Sequence, residues 1–378
     1  MYVLGIETSC DDTAAAVIEA KGGLAKPSLP AEALAQAGFS VLSNVSYSQV
    51  AIHKKFGGIV PNLASRAHLE KIIPTIKEAF RVAKIKPNKI DLIAVTRGPG
   101  LMPSLLIGVN TARALAYRFR KPIIGVNHIE GHIFSNWLTN KRVKFPALIL
   151  VVSGGHTELV LMKDYGKYKI IGQTLDDAAG EAFDKTARLL GLGFPGGPAI
   201  AAEATKISNL KFPAFAKASA GKQIKLPRPM INSKDYNFSF SGLKTAVLYL
   251  YNDLIKKYPP ERRFSRAGPA KEIRSAMAAE VQNAIVDVLI AKTLKAARNF
   301  SPKSVMIAGG VSANKTLREK MAREFESYKI PFLMPDTSYA TDNAAMIAAA
   351  GYFNYLKNKP NRDSWKKVEA NANLRLEL

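Results

Sequence analysis

Val3-Leu4-Gly5-Ile6-Glu7-Thr8-Ser9-Cys10-Asp11-Asp12-Thr13-Ala14-Ala15-Ala16-Val17-Ile18 reads as a strand, a short polar turn and a second strand. Leu148-Ile149-Leu150-Val151-Val152-Ser153-Gly154-Gly155-His156-Thr157-Glu158-Leu159-Val160-Leu161 repeats that pattern. Each hairpin leads into a further short strand, near 41–48 and 168–174, and then into helices and more strands. This weak internal duplication implies two similar α/β lobes facing one another, with a ligand cleft between them.

Outward from the hairpins, β-branched apolar runs recur at 3–7, 92–96, 122–127, 147–153, 157–162, 168–172, 304–308 and 331–334. Helical periodicity covers 66–83, 104–119, 179–190, 195–206, 268–298, 312–326 and 342–356, several starts being marked by Pro, Ser or Asn. A chain of 378 residues exceeds what one core usually serves. The lobes are expected at 1–143 plus about 343–357 and at 144–342. Biased composition marks 21–40 and 211–228 as surface insertions, and the Lys- and Asn-rich tail at 358–378 reads as mobile.

Lys and Arg outnumber Asp and Glu 54 to 30, a formal charge of +24 that favours a polyanionic partner, although a solvated basic surface has the same composition. The basic residues at 254–274 and 292–303, and the loop His53-Lys54-Lys55-Phe56-Gly57-Gly58, are open to either role. A single cysteine, Cys10, excludes a disulfide framework and a cysteine-based zinc site, and reads as a packed residue rather than a nucleophile. With no signal-like start and no apolar run long enough to span a bilayer, the expectation is a cytoplasmic protein that makes no membrane contact.

Three constellations can carry chemistry. Ser153-Gly154-Gly155-His156-Thr157 and Gly309-Gly310-Val311-Ser312-Ala313-Asn314 are glycine turns at strand ends, able to present backbone N–H groups to a phosphate or to serve only as turns. Downstream, Gly191 to Pro198 follows a helix bearing Asp184, whose carboxylate suits a ribose hydroxyl or a solvated helix start. In His128-Ile129-Glu130-Gly131-His132, the imidazoles four residues apart share one helix face and can bind one metal ion. The superficial likeness to a zinc-protease signature fails because Ile129 stands where the general base belongs. Asp342, at the polar start of an apolar helix, is a candidate third ligand or a helix cap, and such a nitrogen and oxygen set suits iron or zinc. In the first hairpin, Asp11 and Asp12 can orient water or magnesium, or simply form the turn.

Taken together, these motifs stand in the order of the TsaD family. Those that carry the resemblance are Gly5 to Thr13, Gly57-Gly58-Ile59-Val60-Pro61 with Ala64-Ser65-Arg66-Ala67-His68, Gly98-Pro99-Gly100, Asn127 to His132, Ser153 to Thr157, Gly180-Glu181-Ala182-Phe183-Asp184-Lys185, Phe238-Ser239-Phe240-Ser241-Gly242-Leu243-Lys244-Thr245 and the Asp342 helix. The first motif is more similar to the bacterial and organellar branch. Asp12 stands where the family usually has Glu, and Ala340 where it often has Cys.

The resemblance implies two actin-like lobes of the ribonuclease H-like, ASKHA type. It implies an acyltransferase that moves the threonylcarbamoyl group from threonylcarbamoyl-AMP to N6 of the adenosine 3′ of the anticodon, in tRNAs reading codons that begin with A. His128, His132 and Asp342 would hold one iron ion, with zinc able to replace it in vitro. Val151, Val152, Ser153, Gly154, Gly155, Asp184, Gly197 and Asn314 would bind the adenylate. Asp11 or Asp12 would position the attacking group or act as base, and magnesium would accompany any bound ATP. Implied partners are tRNA, a TsaB-like actin-fold protein, a TsaE-like P-loop ATPase and a separate synthase that supplies the donor. Two other readings belong to the same fold: an ATP-dependent small-molecule kinase, and a nucleotide-dependent assembly module.

Overall fold

The computed structural model describes residues 1–21, 38–139, 143–209, 224–256 and 269–376. The first sheet is built from β1 (Tyr2–Glu7), β2 (Asp12–Lys21), β3 (Gly38–Ser48), β4 (Leu92–Gly98) and β5 (Ile123–Asn127). A second comprises β6 (Ala147–Val152), β7 (Thr157–Asp164), β8 (Lys167–Gln173), β9 (Ser304–Ala308) and β10 (Phe332–Leu333). The strand orders are β3-β2-β1-β4-β5 and β10-β9-β6-β7-β8, one topology used twice. In each, a hairpin and a third strand pair antiparallel while the last two strands run parallel to the first. The duplicated hairpins of the sequence are thus β1-β2 and β6-β7.

The principal helices are α1 (Pro61–Ala83), α2 (Met102–Phe119), α3 (His128–Thr139), α4 (Ala179–Leu189), α5 (Gly196–Ala204), α6 (Ser241–Lys256), α7 (Pro269–Phe300), α8 (Lys315–Ser327) and α9 (Ala344–Lys357). Both sheets are apolar on both faces, and alternate side chains feed different cores. Leu4, Ile6, Val17 and Val95 join Ile72, Ile76, Val109 and Ala112 of α1 and α2. Leu148, Leu150, Val152 and Ile307 join the side chains of α4 to α8. Val3, Ala16 and Ala94 of one sheet share a third core with Ile149, Val151 and Met306 of the other, filled by α3 and α9. Two sheets therefore clasp a pair of helices, and those helices carry the candidate metal ligands.

Small residues bring the pair in close. A Cβ at Gly5 of β1 would lie 2.1 Å from the Ala344 carbonyl oxygen, so the start of α9 rests directly on the strand backbone. Gly131 of α3 faces the Ile347 side chain of α9.

Two segments differ from expectation. The tail is packed, not mobile: the Asn371 N–H donates to Arg97 O at 2.7 Å, Val368 is buried beside Ile123, and the Trp365 ring meets Tyr117 edge-on. Scattered apolar anchors do this, with no periodicity to announce them. Of the expected insertions, 22–37 and 211–223 lie outside the described residues. Lys21 and residues 38–40 belong to β2 and β3, and Leu226 and Arg228 bind Glu280 and Asp287 of α7.

Candidate metal centre and substrate cleft

Three protein segments meet at the end of β1. His128 and His132 lie one turn apart on α3, and Asp342 precedes α9. Asn343, not Asp342, caps that helix by accepting from the Met346 N–H at 2.9 Å, which leaves the Asp342 carboxylate free to turn toward the imidazoles. Its Oδ1 lies 3.1 Å from His132 Nε2 and 3.5 Å from His128 Nε2. One ligand atom from each residue falls within 4.8 Å of the others.

Glu7, at the end of β1, orients this cluster. It is fully buried and receives hydrogen bonds from Thr96 Oγ1 at 2.6 Å and from the Ser9 N–H, while its Oε2 is 2.9 Å from His128 Nδ1. Ser9 Oγ lies 3.1 Å from the same nitrogen. With Nδ1–H directed at Glu7, His128 presents the Nε2 lone pair to the cluster, the carboxylate–histidine arrangement that supports metal ligands. His132 is fully buried; its Nε2 faces Asp342 Oδ1 at 3.1 Å, and its Nδ1 has no hydrogen-bond partner among the described residues. A buried imidazole set against a carboxylate and a second imidazole, with its other nitrogen unpartnered, fits a metal ligand better than a structural histidine. Glu130 points the other way, accepting from Tyr168 Oη and Asn354 Nδ2 at 2.8 Å each, so it ties α3 to β8 and α9.

The local electrostatics follow from this crowding. Burial alone would favour neutral Glu7, but His128 outweighs it and holds the carboxyl below its usual value. Burial would likewise lower His128, yet Glu7 and Asp342 push it up to about 9. Desolvation would raise Asp342, which is only half-buried, but His128 and His132 hold it well below the carboxylate range. The charge that stabilises protons here would equally stabilise a cation in their place. Cys10 is pushed up by burial and by Asp11, which opposes a thiolate.

The other candidates border the same space. Asp11 ends the first hairpin turn and Asp12 opens β2; burial and Asp342 raise both, Asp12 to about 7. The Ser153–His156 turn is closed by Ser153 Oγ accepting from the His156 N–H at 3.1 Å, and nothing lies within 4 Å of a Cβ built on Gly154 or Gly155. His156 is lowered to about 4 by burial and by the charges of His128 and His132, so this turn lies beside the cluster. Val151 and Val152 have buried side chains in different cores and can offer only backbone. Parallel pairing of Val151 with Ala308 brings the Gly309-Gly310 turn alongside.

Asp184 Oδ1 accepts from the Gly196 N–H at 2.6 Å, joining α4 to the start of α5, where a Cβ on Gly197 would meet open space. Burial raises Asp184 first, with a smaller contribution from the charge of Asp11. Asn314 caps α8 and donates to Gln282 Oε1 at 3.0 Å, so its side chain is already engaged.

Sequence reasoning gave Glu7, Ser9 and Thr96 no individual role. The only available signal was the acidic end of the first strand. Within the basic stretches open to a phosphate or a solvated role, Lys292 is instead buried against Ser233 and Asp235, and Lys295 donates to backbone carbonyls; 257–268 lie outside the described residues.

Among solved structures, full-length HypF in its phosphate- and nucleotide-bound form is similar with a TM-score of 0.53 at 10% identity, covering 98% of this chain and 47% of that one. With the repeated strand order, this defines a protein of the actin-like fold class. The family model TsaD, tRNA N6-adenosine threonylcarbamoyltransferase, matches residues 40–349. Proteins of that description from Caldicellulosiruptor saccharolyticus and Bacillus subtilis are 45% and 47% identical, covering 97% and 93% of this chain and 97% and 90% of their own. The chain belongs to the TsaD family: it is a transferase that forms N6-threonylcarbamoyladenosine in tRNA. No described helix is long and apolar enough to cross a membrane.

Proposed function

We propose that the chain takes the threonylcarbamoyl group from threonylcarbamoyl-AMP and places it on N6 of the adenosine 3′ of the anticodon, in tRNAs reading codons that begin with A. Convergence of His128, His132 and Asp342 on one point of the cleft, with Glu7 behind His128, is the observation that carries this reading. These three residues would hold one iron ion, or zinc in vitro, and the ion would supply Lewis acidity toward the carbonyl under attack.

The chain's own groups do the rest. Open backbone at Gly154, Gly155 and Gly310 admits the donor phosphate, while Asp184 and the Gly197 turn receive the ribose and base. Val151, Val152 and Ser153 line that path with backbone, and Asn314 bounds it. Asp12, held near neutrality, is suited to accept a proton from the attacking amine, with Asp11 beside it. No protein nucleophile is required, since AMP leaves as the amine attacks. Magnesium would accompany ATP if ATP were bound.

The family resemblance extends the proposal to a TsaB-like actin-fold protein, a TsaE-like P-loop ATPase and a separate donor synthase, working in the cytoplasm. Nucleoside mass analysis of tRNA incubated with donor and these partners tests it. Appearance of N6-threonylcarbamoyladenosine is expected; its absence with fully loaded protein would overturn the proposal.

A further inference from the structure

A cavity of about 340 Å³ lies between β7, β8 and the C-terminal segment, within the size range of small-ligand pockets, roughly 300–1,000 Å³. Pro99, Ile129, Ile170 and Leu374 give it apolar walls, and His156, Glu158, Gln173 and Arg375 give it polar ones. Strand alternation makes Glu158 anomalous. It lies opposite Val151 and two residues before Val160, on the face that otherwise feeds the core shared by the sheets. Its Oε2 is buried and has no hydrogen-bond partner among the described residues. An unsatisfied carboxylate oxygen on a cavity wall costs stability unless a ligand donates to it. The cavity also borders the ligand cluster, because Ile129 follows His128 and His156 lies in the field of His128, His132 and Asp342.

The unpartnered Glu158 oxygen selects an occupant with a hydrogen to donate, and the donor's adenylate already has its place at the glycine turns and Asp184. A neutral purine has apolar faces for the walls and an amine for the carboxylate, as a base withdrawn from its stack requires. We propose that this cavity receives the acceptor adenine, with Glu158 accepting a hydrogen bond from one N–H of the exocyclic amine and leaving the other for Asp12, and with Ile129, Ile170 and Leu374 covering the ring. Exposed Arg375 at the rim stands where the nucleotide's phosphate would enter. The inference rests on the transfer reading above and makes Glu158 a substrate-binding residue for the acceptor.

The test compares the full chain with its Glu158→Gln variant, using an anticodon stem-loop bearing either adenosine or purine riboside, which lacks the amine, at the acceptor position. The wild type should bind the adenosine form about tenfold more tightly, the worth of one hydrogen bond to a charged group. Glu158→Gln should lose most of that preference and raise KM for tRNA while leaving KM for threonylcarbamoyl-AMP unchanged. Leu374→Trp, which fills the cavity and keeps the Glu158 carboxyl in the chain, should weaken stem-loop binding and leave donor binding intact. Equal preference in wild type and Glu158→Gln, or a change confined to donor KM, would overturn the pocket assignment while leaving the transfer reading standing. A wild type that modifies no tRNA would overturn both.

Discussion

Glu7 shows why a buried carboxylate can be retained at the end of a core strand. Thr96 and Ser9 donate to it and His128 neutralises it, so its desolvation is offset and the imidazole is fixed in one orientation. Glu7→Gln keeps the shape but weakens that control, and metal affinity is expected to fall about 10- to 100-fold. Titration calorimetry of metal into metal-free protein measures this, and an unchanged affinity would refute the supporting role. Asp12 gives a second test. Its folded value, about 7, is raised above the unfolded one of about 3.9, so its contribution is fully present below the unfolded value and is lost as pH rises through 7. In metal-free protein, Asp12→Asn should therefore flatten the fall in Tm between pH 4 and 8, by a difference on the order of 1 kcal/mol after solvent screening. Identical slopes for the two proteins would contradict that shift. The four-residue histidine spacing was readable from sequence because helical geometry enforces it. The roles of Glu7 and of Asn343 as the cap were not, because strand alternation and capping preference do not say which neighbouring polar side chain turns inward.

The segments that set the site are β1, α3 and α9. Their contact depends on missing side chains, so Gly5→Ala should cost on the order of 2–3 kcal/mol by forcing α9 off the strand, carrying Asp342 with it. Gly155→Ala, which meets no atom within 4 Å, should leave Tm nearly unchanged yet weaken adenylate binding. Thermal melts and donor titration of both variants separate the cases, and a destabilised Gly155→Ala with normal donor affinity would contradict the open cradle. The duplicated hairpins were legible because their buried residues alternate on both faces. α6 was missed as a helix because its start, Ser241-Gly242, reads as a turn, and the tail was misread because Trp365, Val368 and Leu376 are isolated anchors in a polar stretch.

Across the whole chain, two sheets of one topology enclose α3 and α9 and leave carboxylates, imidazoles and open glycine turns around one cleft. That juxtaposition brings Glu7, His128 and Asp342 together across most of the chain, a distance no local pattern spans. The formal charge of +24 suits a polyanionic tRNA substrate and predicts tRNA binding that weakens as salt rises. The decisive measurement pairs metal content with nucleoside mass analysis for the wild type and for Asp342→Ala, each supplied with tRNA, donor and partners. The expected result is metal and N6-threonylcarbamoyladenosine in the wild type, and a folded variant that has lost both. A metal-free variant that modifies tRNA at the wild-type rate would contradict the assignment of His128, His132 and Asp342 to the reaction.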